Sequence, residues 1–333
     1  MIRAMGTIRT ILALCLVASV PGVALAGSRG LHGAWTASTS EERPELLNVS
    51  MQMAGHEHSG SRFARRDFEG LTDAQIQSAS SVPVQFELRR EAGTLAFEGT
   101  FRDGEGAGQF TFQPNMEFPG ALRRLGVALE GKQEDEAHEL LKLAMFDVSS
   151  KFVESMQAVG YSVPLEKYVA FRIFDVNPAY VREMADVGFA HLSADKLVET
   201  RIHGATPDYI REQRAAGADL PLDQYIESRI FQITPEFRAE MKNAGYPNLD
   251  RDVLLQFRIH GVTPEYIEEL RKLGYAHIPA QKLVEMRIHD VSPEFIRRLA
   301  AAGYHQVPID KMVQMRIFDI KPEMLKALDD ASD

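Results

Sequence analysis

The chain has 333 residues, with 37 Lys and Arg against 47 Asp and Glu and a formal charge of −10. Its 45% hydrophobic and 25% charged residues are globular values, which exclude wholesale disorder and collagen-like structure. The acidic balance excludes a general nucleic-acid binder, which needs Lys and Arg to displace phosphate counterions. A single Cys, Cys15, excludes an internal disulfide or a thiolate metal cage.

Residues 1–26 read as a secretory signal peptide. Arg3 and Arg9 form a basic start, Ile11 to Ala18 an apolar core, and Pro21-Gly22 a break. Ala24-Leu25-Ala26 before Gly27 is a small-residue cleavage site. The apolar stretch is shorter than the ~20 residues of a spanning helix. The expected product is periplasmic or secreted, is cleaved after Ala26, and has no later membrane span. Cleavage removes the only Cys.

Residues 27–114 read as a β-rich domain. Leu46 to Met53 alternates from Leu47 onward as one strand. Residues 82–113 alternate three times, through Val82, Val84, Phe86 and Leu88, then Leu95, Phe97 and Phe101, then Phe110 and Phe112. Turns at Glu91-Ala92-Gly93 and at Asp103 to Gly106 separate the three runs. Period-two patterning with Gly turns predicts an antiparallel meander, apolar on one face.

Residues 115–328 read as helical repeats of about 28–29 residues, followed by a polar tail at 329–333. Arg172, Arg201, Arg229, Arg258, Arg287 and Arg316 recur at spacings of 29, 28, 29, 29 and 29, each followed by Ile. Gly160, Gly188, Gly217, Gly245, Gly274 and Gly303 form a second ladder in register. Each unit predicts two short helices. Asn177-Pro178, Thr206-Pro207, Thr234-Pro235, Thr263-Pro264 and Ser292-Pro293 place an N-cap before a proline at the first helical position. The ladder glycine ends that helix in the left-handed region, and the Tyr or Phe after it supplies the apolar contact of a Schellman cap. The second helix starts near Ser193, Asp250 or Pro279. Its Leu283, Val284, Met286 and Ile288 predict an inner helix. Glu117 to Gly126 matches Glu265 to Gly274, so the array starts near Asn115. Helices this short need stacked neighbours, so the fold is α+β: an antiparallel β domain followed by a short α-solenoid.

The Arg ladder carries the main candidate site. Seven residues after each Arg stand Ala179, Asp208, Glu236, Glu265, Glu294 and Glu323. The spacing predicts an Arg–carboxylate clamp across the turn, or alternatively a row of cations that binds an acidic partner. Arg172 lacks its acid and is the rung expected to be free. His203, His260 and His289 share a repeat position with Phe174, Phe231 and Phe318, which predicts a slot for a flat ring rather than a metal site. His56 and His58, with His32 as a distant third, are weak metal candidates. No His-Glu-x-x-His, Gly-x-Ser-x-Gly or phosphate-cradling glycine loop occurs, and no cofactor is implied.

Leu283 to His289, together with Val262 to Ile267, resembles a repeat of uncharacterised bacterial envelope proteins. It is also similar to the C-terminal extensions of some BlaR-type sensor metallopeptidases. The resemblance covers roughly residues 115–328, and the meander resembles a segment that precedes such repeats. It implies an envelope role in sensing or scaffolding. The peptidase motif and a multi-span domain are absent, so peptidase activity does not carry over. The expected function is an exported, non-enzymatic interaction module with a protein or peptide partner. The alternative is a ligand, metal or catalytic site near Trp35, His56, His58 and Arg172, where the β domain meets the first repeats.

Overall fold

The computed structural model describes residues 30–40, 42–53, 59–129 and 136–324. The segment read as a signal peptide, His56 and His58, and the tail at 329–333 lie outside the described residues. The chain forms two compact units. One comprises residues 1–116 and 131–145, the other 117–130 and 146–333.

The first unit is a seven-stranded antiparallel sheet. Its strands are β1 (Leu31–Thr39), β2 (Leu46–Met53), β3 (Ser59–Ala64), β4 (Phe68–Glu69), β5 (Val82–Arg90), β6 (Gly93–Arg102) and β7 (Glu105–Pro114). The order across the sheet is β3-β2-β1-β7-β6-β5-β4. β5, β6 and β7 are the expected meander. Asp103 and Gly104 both have positive φ, as a two-residue hairpin turn that follows strand twist requires. The two edge strands, β3 and β4, are joined by one 3-10 turn, Arg65–Asp67, and Phe63 meets Phe68 at 5.6 Å between ring centroids. The sheet therefore curls until its edges meet at one corner, where Arg90 pairs with Asp67 at 2.6 Å.

Inside the curl, most alternate residues are apolar and buried. Phe86 stacks on Phe97 at 4.7 Å, and Trp35 meets Phe86, Phe97 and Phe101 edge-on or tilted. The cover that a one-sided meander needs thus comes from β1 and β2, from the helix α1 (Asp73–Ile76) with its Thr72–Gln75 capping box, and from α3 (Glu136–Met145). α3 lies inside the span read as the first repeat and packs on β6 and β7.

Trp35 reaches across β7. Its indole N–H donates to Gln109 O at 3.0 Å and Glu98 O at 3.2 Å. Gly108 stands opposite Trp35 on β7, and Gly99 stands opposite Gly108 on β6. A Cβ on Gly108 would fall 1.9 Å from Glu98 O, and one on Gly99 2.2 Å from Ala107 O. Only glycine allows this approach.

The second unit opens with α2 (Phe118–Arg124), tied to the array by Gln157, whose amide donates to Leu125 O at 2.8 Å. Helical hairpins follow. The first helices are α4 (Ser150–Gln157), α6 (Pro178–Asp186), α8 (Pro207–Ala215), α10 (Pro235–Asn243), α12 (Pro264–Lys272) and α14 (Pro293–Ala301). The second helices are α5 (Leu165–Ile173), α7 (Ala194–His203), α9 (Leu222–Ile230), α11 (Arg251–His260), α13 (Ala280–Ile288) and α15 (Ile309–Ile317). Second helices pack side by side, α5 on α7, α7 on α9, α11 on α13 and α13 on α15. α12 and α14 do so among the first helices. Residues Pro322 to Met324 begin a further helical turn.

The caps are as expected. Asn177, Thr206, Thr234, Thr263 and Ser292 each accept the amide three residues on, and Ser149 does the same for α4. All six ladder glycines have positive φ. The residue after each donates back to the carbonyl five residues before it, as Tyr275 does to Leu270 O at 2.9 Å. The tyrosines at that place also join repeats. Tyr161, Tyr246 and Tyr275 donate their hydroxyls to Leu192 O, Ile278 O and Val307 O of the next repeat, at 2.6–2.9 Å. Burial raises all three phenol pKa values above the ordinary range.

Trp35 is the only tryptophan, so its fluorescence reports on the sheet unit alone. Gly108→Ala is expected to destabilise that unit by about 1–3 kcal/mol, since the backbone must move to admit the methyl. A urea melt followed by Trp35 emission checks this, and an unchanged midpoint would contradict it.

Candidate functional site

Each second helix ends on the ladder tetrapeptide. The residue after its last turn takes the left-handed conformation: Asp175, Gly204, Gln232, Gly261, Asp290 and Asp319, with φ between +50° and +70°, as does Asp147 after α3. The next residue is apolar, and its amide donates back to the carbonyl five before it, as Val262 does to Phe257 O at 2.8 Å. Both helices of each hairpin therefore end in the same kind of cap.

Across this turn lies the ladder Arg of the following repeat. Arg172 donates to Phe146 O at 2.8 Å and pairs with Asp147 at 2.8 Å. Arg201 lies 3.6 Å from Asp175. Arg287 donates to His260 O at 3.0 Å, and Arg316 to His289 O at 3.3 Å while also pairing with Asp290. Each guanidinium also covers an aromatic ring of its own hairpin. The pairs are Arg172 on Phe152, Arg201 on Tyr180, Arg229 on Tyr209, Arg258 on Phe237, Arg287 on Tyr266 and Arg316 on Phe295, at 3.6–5.3 Å from the ring centroid. Those rings belong to the residues whose amides donate to the N-caps.

The expected clamp to the acid seven residues on is not formed. Asp208 and Glu294 pair within their own helices, with Arg211 and Arg297, and Glu323 pairs with Arg298. Glu236 and Glu265 stay at their helix starts. There a hydrogen bond to their own backbone amide, and then the Thr234 or Thr263 hydroxyl, holds their carboxylates below the usual range. Arg172 is not the free rung. Asp147, 25 residues before it, supplies its acid. Instead Arg229, Arg258 and Arg287 form no ion pair among the described residues, because Gly204, Gln232 and Gly261 occupy the turns where Asp stands in the outer repeats. Burial pushes the Arg258 guanidinium pKa down, with Glu240 acting against the shift, and its Nε has no hydrogen-bond partner.

Directly after each ladder Arg stands an exposed isoleucine. Ile173, Ile202, Ile230, Ile259, Ile288 and Ile317 are 45–54% exposed. This corrects the inner-helix reading for Ile288. Leu283, Val284 and Met286 are buried, but Ile288 faces solvent. A single exposed aliphatic residue is ordinary, whereas one at the same register in six consecutive repeats is a displayed row. At the opposite ends of the second helices, ion pairs join neighbours: Lys167–Asp195 at 2.6 Å, Lys196–Asp223 at 2.8 Å and Lys282–Asp310 at 2.5 Å.

The other candidates fare differently. His203, His260 and His289 are half-buried beside the ladder turns, one per repeat, and no group of three metal-ligating side chains converges among the described residues. His32 is exposed on β1. Trp35 is 1% exposed and holds the sheet core together, so it lines no surface site. An open hollow of about 1100 Å³ lies on the opposite face of the sheet, among Thr36, Ser38, Ser50, Arg62, Thr100 and Arg102. Among the described residues, no helix is long and apolar enough to cross a membrane. No protein-family model, curated protein or solved structure matches the chain.

Tyr180 separates the ring stack from its polar handle. Its hydroxyl donates to Thr200, which is also bonded to Leu197 O at 2.7 Å. Tyr180→Phe is expected to cost about 1 kcal/mol, and Tyr180→Leu about 2–3 kcal/mol because it also removes the surface under Arg201. Chemical denaturation followed by circular dichroism checks the difference. Equal costs would mean that the stack contributes nothing.

Proposed function

We propose that this chain is an exported, non-enzymatic interaction or scaffold module of the bacterial envelope, acting in sensing or signalling. The observation that carries the reading is the row of exposed isoleucines beside the Arg ladder. Repeat arrays bury their apolar residues between neighbours and use the remaining long surface to bind proteins or peptides. Here each repeat leaves one branched aliphatic side chain in water at the same place, although the fold has no need of it there. Export is supported by the signal-like pattern of residues 1–26. The envelope assignment is supported by the resemblance of the repeat to envelope modules. The rival site near Trp35, His56, His58 and Arg172 is weakened, because Trp35 is buried in the sheet core and Arg172 is engaged by Asp147 and Phe146 O.

The test is a photo-crosslinking residue placed in the native host at Ile202 or Ile259, compared with Arg211 or Lys242 on exposed first-helix positions. The expected result is a discrete protein adduct from the isoleucine positions, on a chain whose first residue by mass spectrometry is Gly27. No adduct from any position of the array would overturn the interaction reading, and a chain retaining residues 1–26 would overturn export.

A further inference from the structure

We propose that the middle of the ladder binds an extended acidic peptide. The peptide offers an apolar side chain to each of Ile230, Ile259 and Ile288, and a carboxylate to each of Arg229, Arg258 and Arg287. This rests on the interaction-module reading and names the partner's chemistry.

Charge carries the argument. Where an Asp occupies the left-handed turn, the next Arg is neutralised locally, as at Asp147–Arg172 and Asp290–Arg316. Three consecutive turns in the centre carry Gly204, Gln232 and Gly261 instead, and the three guanidiniums across from them form no ion pair among the described residues, Glu240 acting on Arg258 only from beyond ion-pair distance. Backbone strain does not demand those glycines, because Asp and Gln hold the same conformation in the other repeats. Glycine changes the charge and the room, since a Cβ at Gly204 or Gly261 would come within 2.9 Å of the Arg229 or Arg287 guanidinium, the mobile end of a long side chain. In a chain of net charge −10, three adjacent cations without an ion-pair partner in one register form a local basic strip.

The spacing favours an extended partner. Helices packed side by side lie about 8–10 Å apart, so that is the step from one Arg–Ile pair to the next. A polyproline-type strand turns once per three residues and advances ~9 Å in doing so. A peptide of repeating apolar-x-acidic triplets therefore stays in step with the repeats. The exposed aliphatic row is one residue wide, which suits a strand better than a membrane surface.

The test uses the full chain and fluorescein-labelled peptides of four Leu-Pro-Glu, Leu-Pro-Lys or Ser-Pro-Glu triplets, read by anisotropy at low salt. Vesicles of phosphatidylglycerol form a further arm. The expected result is that the Leu-Pro-Glu peptide binds at least about tenfold more tightly than both other peptides. The triple variant Gly204→Asp, Gln232→Asp, Gly261→Asp neutralises the strip with a residue the same turns already accept elsewhere. It is expected to lose at least about tenfold in binding, as is the surface variant Ile230→Ser, Ile259→Ser. Equal binding of the three peptides, binding untouched by either variant, or binding to vesicles alone would overturn the proposal. If photo-crosslinks form on the array while the acidic peptide is not preferred, this inference fails and the module reading stands. If there are no crosslinks either, both fail.

Discussion

The helical unit depends on one contact made once per repeat: a guanidinium held between an aromatic ring below and a left-handed turn across from it. Helices of eight to ten residues are marginal in isolation, so each hairpin must be held by its neighbours. The ladder Arg does this from both sides. Its planar face lies on the Tyr or Phe whose amide donates to the N-cap, and at Arg172, Arg287 and Arg316 its edge donates to a carbonyl that closes the preceding repeat. Cation–ring contacts contribute about 0.5–2 kcal/mol each, and burial of the guanidinium edge strengthens them. Lys would not substitute well, because a point charge supplies neither the flat face nor the fork of donors.

The same contact connects fold to function. The turn residue is free to vary among Asp, Gly and Gln because all three tolerate positive φ there. Its identity sets how much charge each rung presents, without altering the backbone. At the outer rungs the cation is paired, and at the central three it is not. The isoleucine beside each rung is unaffected by this choice. Structure and recognition thus use neighbouring atoms of one tetrapeptide, with the Arg over its ring, the Ile outward and the turn residue controlling net charge.

Much of the fold was legible from sequence, because it is local. The N-cap threonines, the prolines after them and the left-handed glycines act within a few residues, and the meander declares itself by period-two patterning and an Asp-Gly turn. β1 was hidden because its inward residues include the small Gly33 and Ala37, which leave no apolar alternation around Trp35. The ladder's partners were hidden for a different reason. Seven residues is a short distance in sequence, but each Arg turns back, to a ring 20 or 21 residues earlier and a turn 25 or 26 earlier. The period-29 register contains that information, since Phe152, Tyr180, Tyr209, Phe237, Tyr266 and Phe295 recur in step with the arginines. The exposure of Ile288 was hidden because composition cannot show which face of a short helix its neighbours leave open.

The most direct test of the account is hydrogen exchange in Arg287→Leu, which keeps an apolar side chain over Tyr266 but removes the donors to the preceding repeat. If the Arg joins repeats, the Val262 amide, which closes the cap of α11, exchanges about tenfold faster or more, although it lies 25 residues before the substitution. If acceleration is confined to α13 and α14 while Gly261 and Val262 keep their protection, the ladder does not join one repeat to the next.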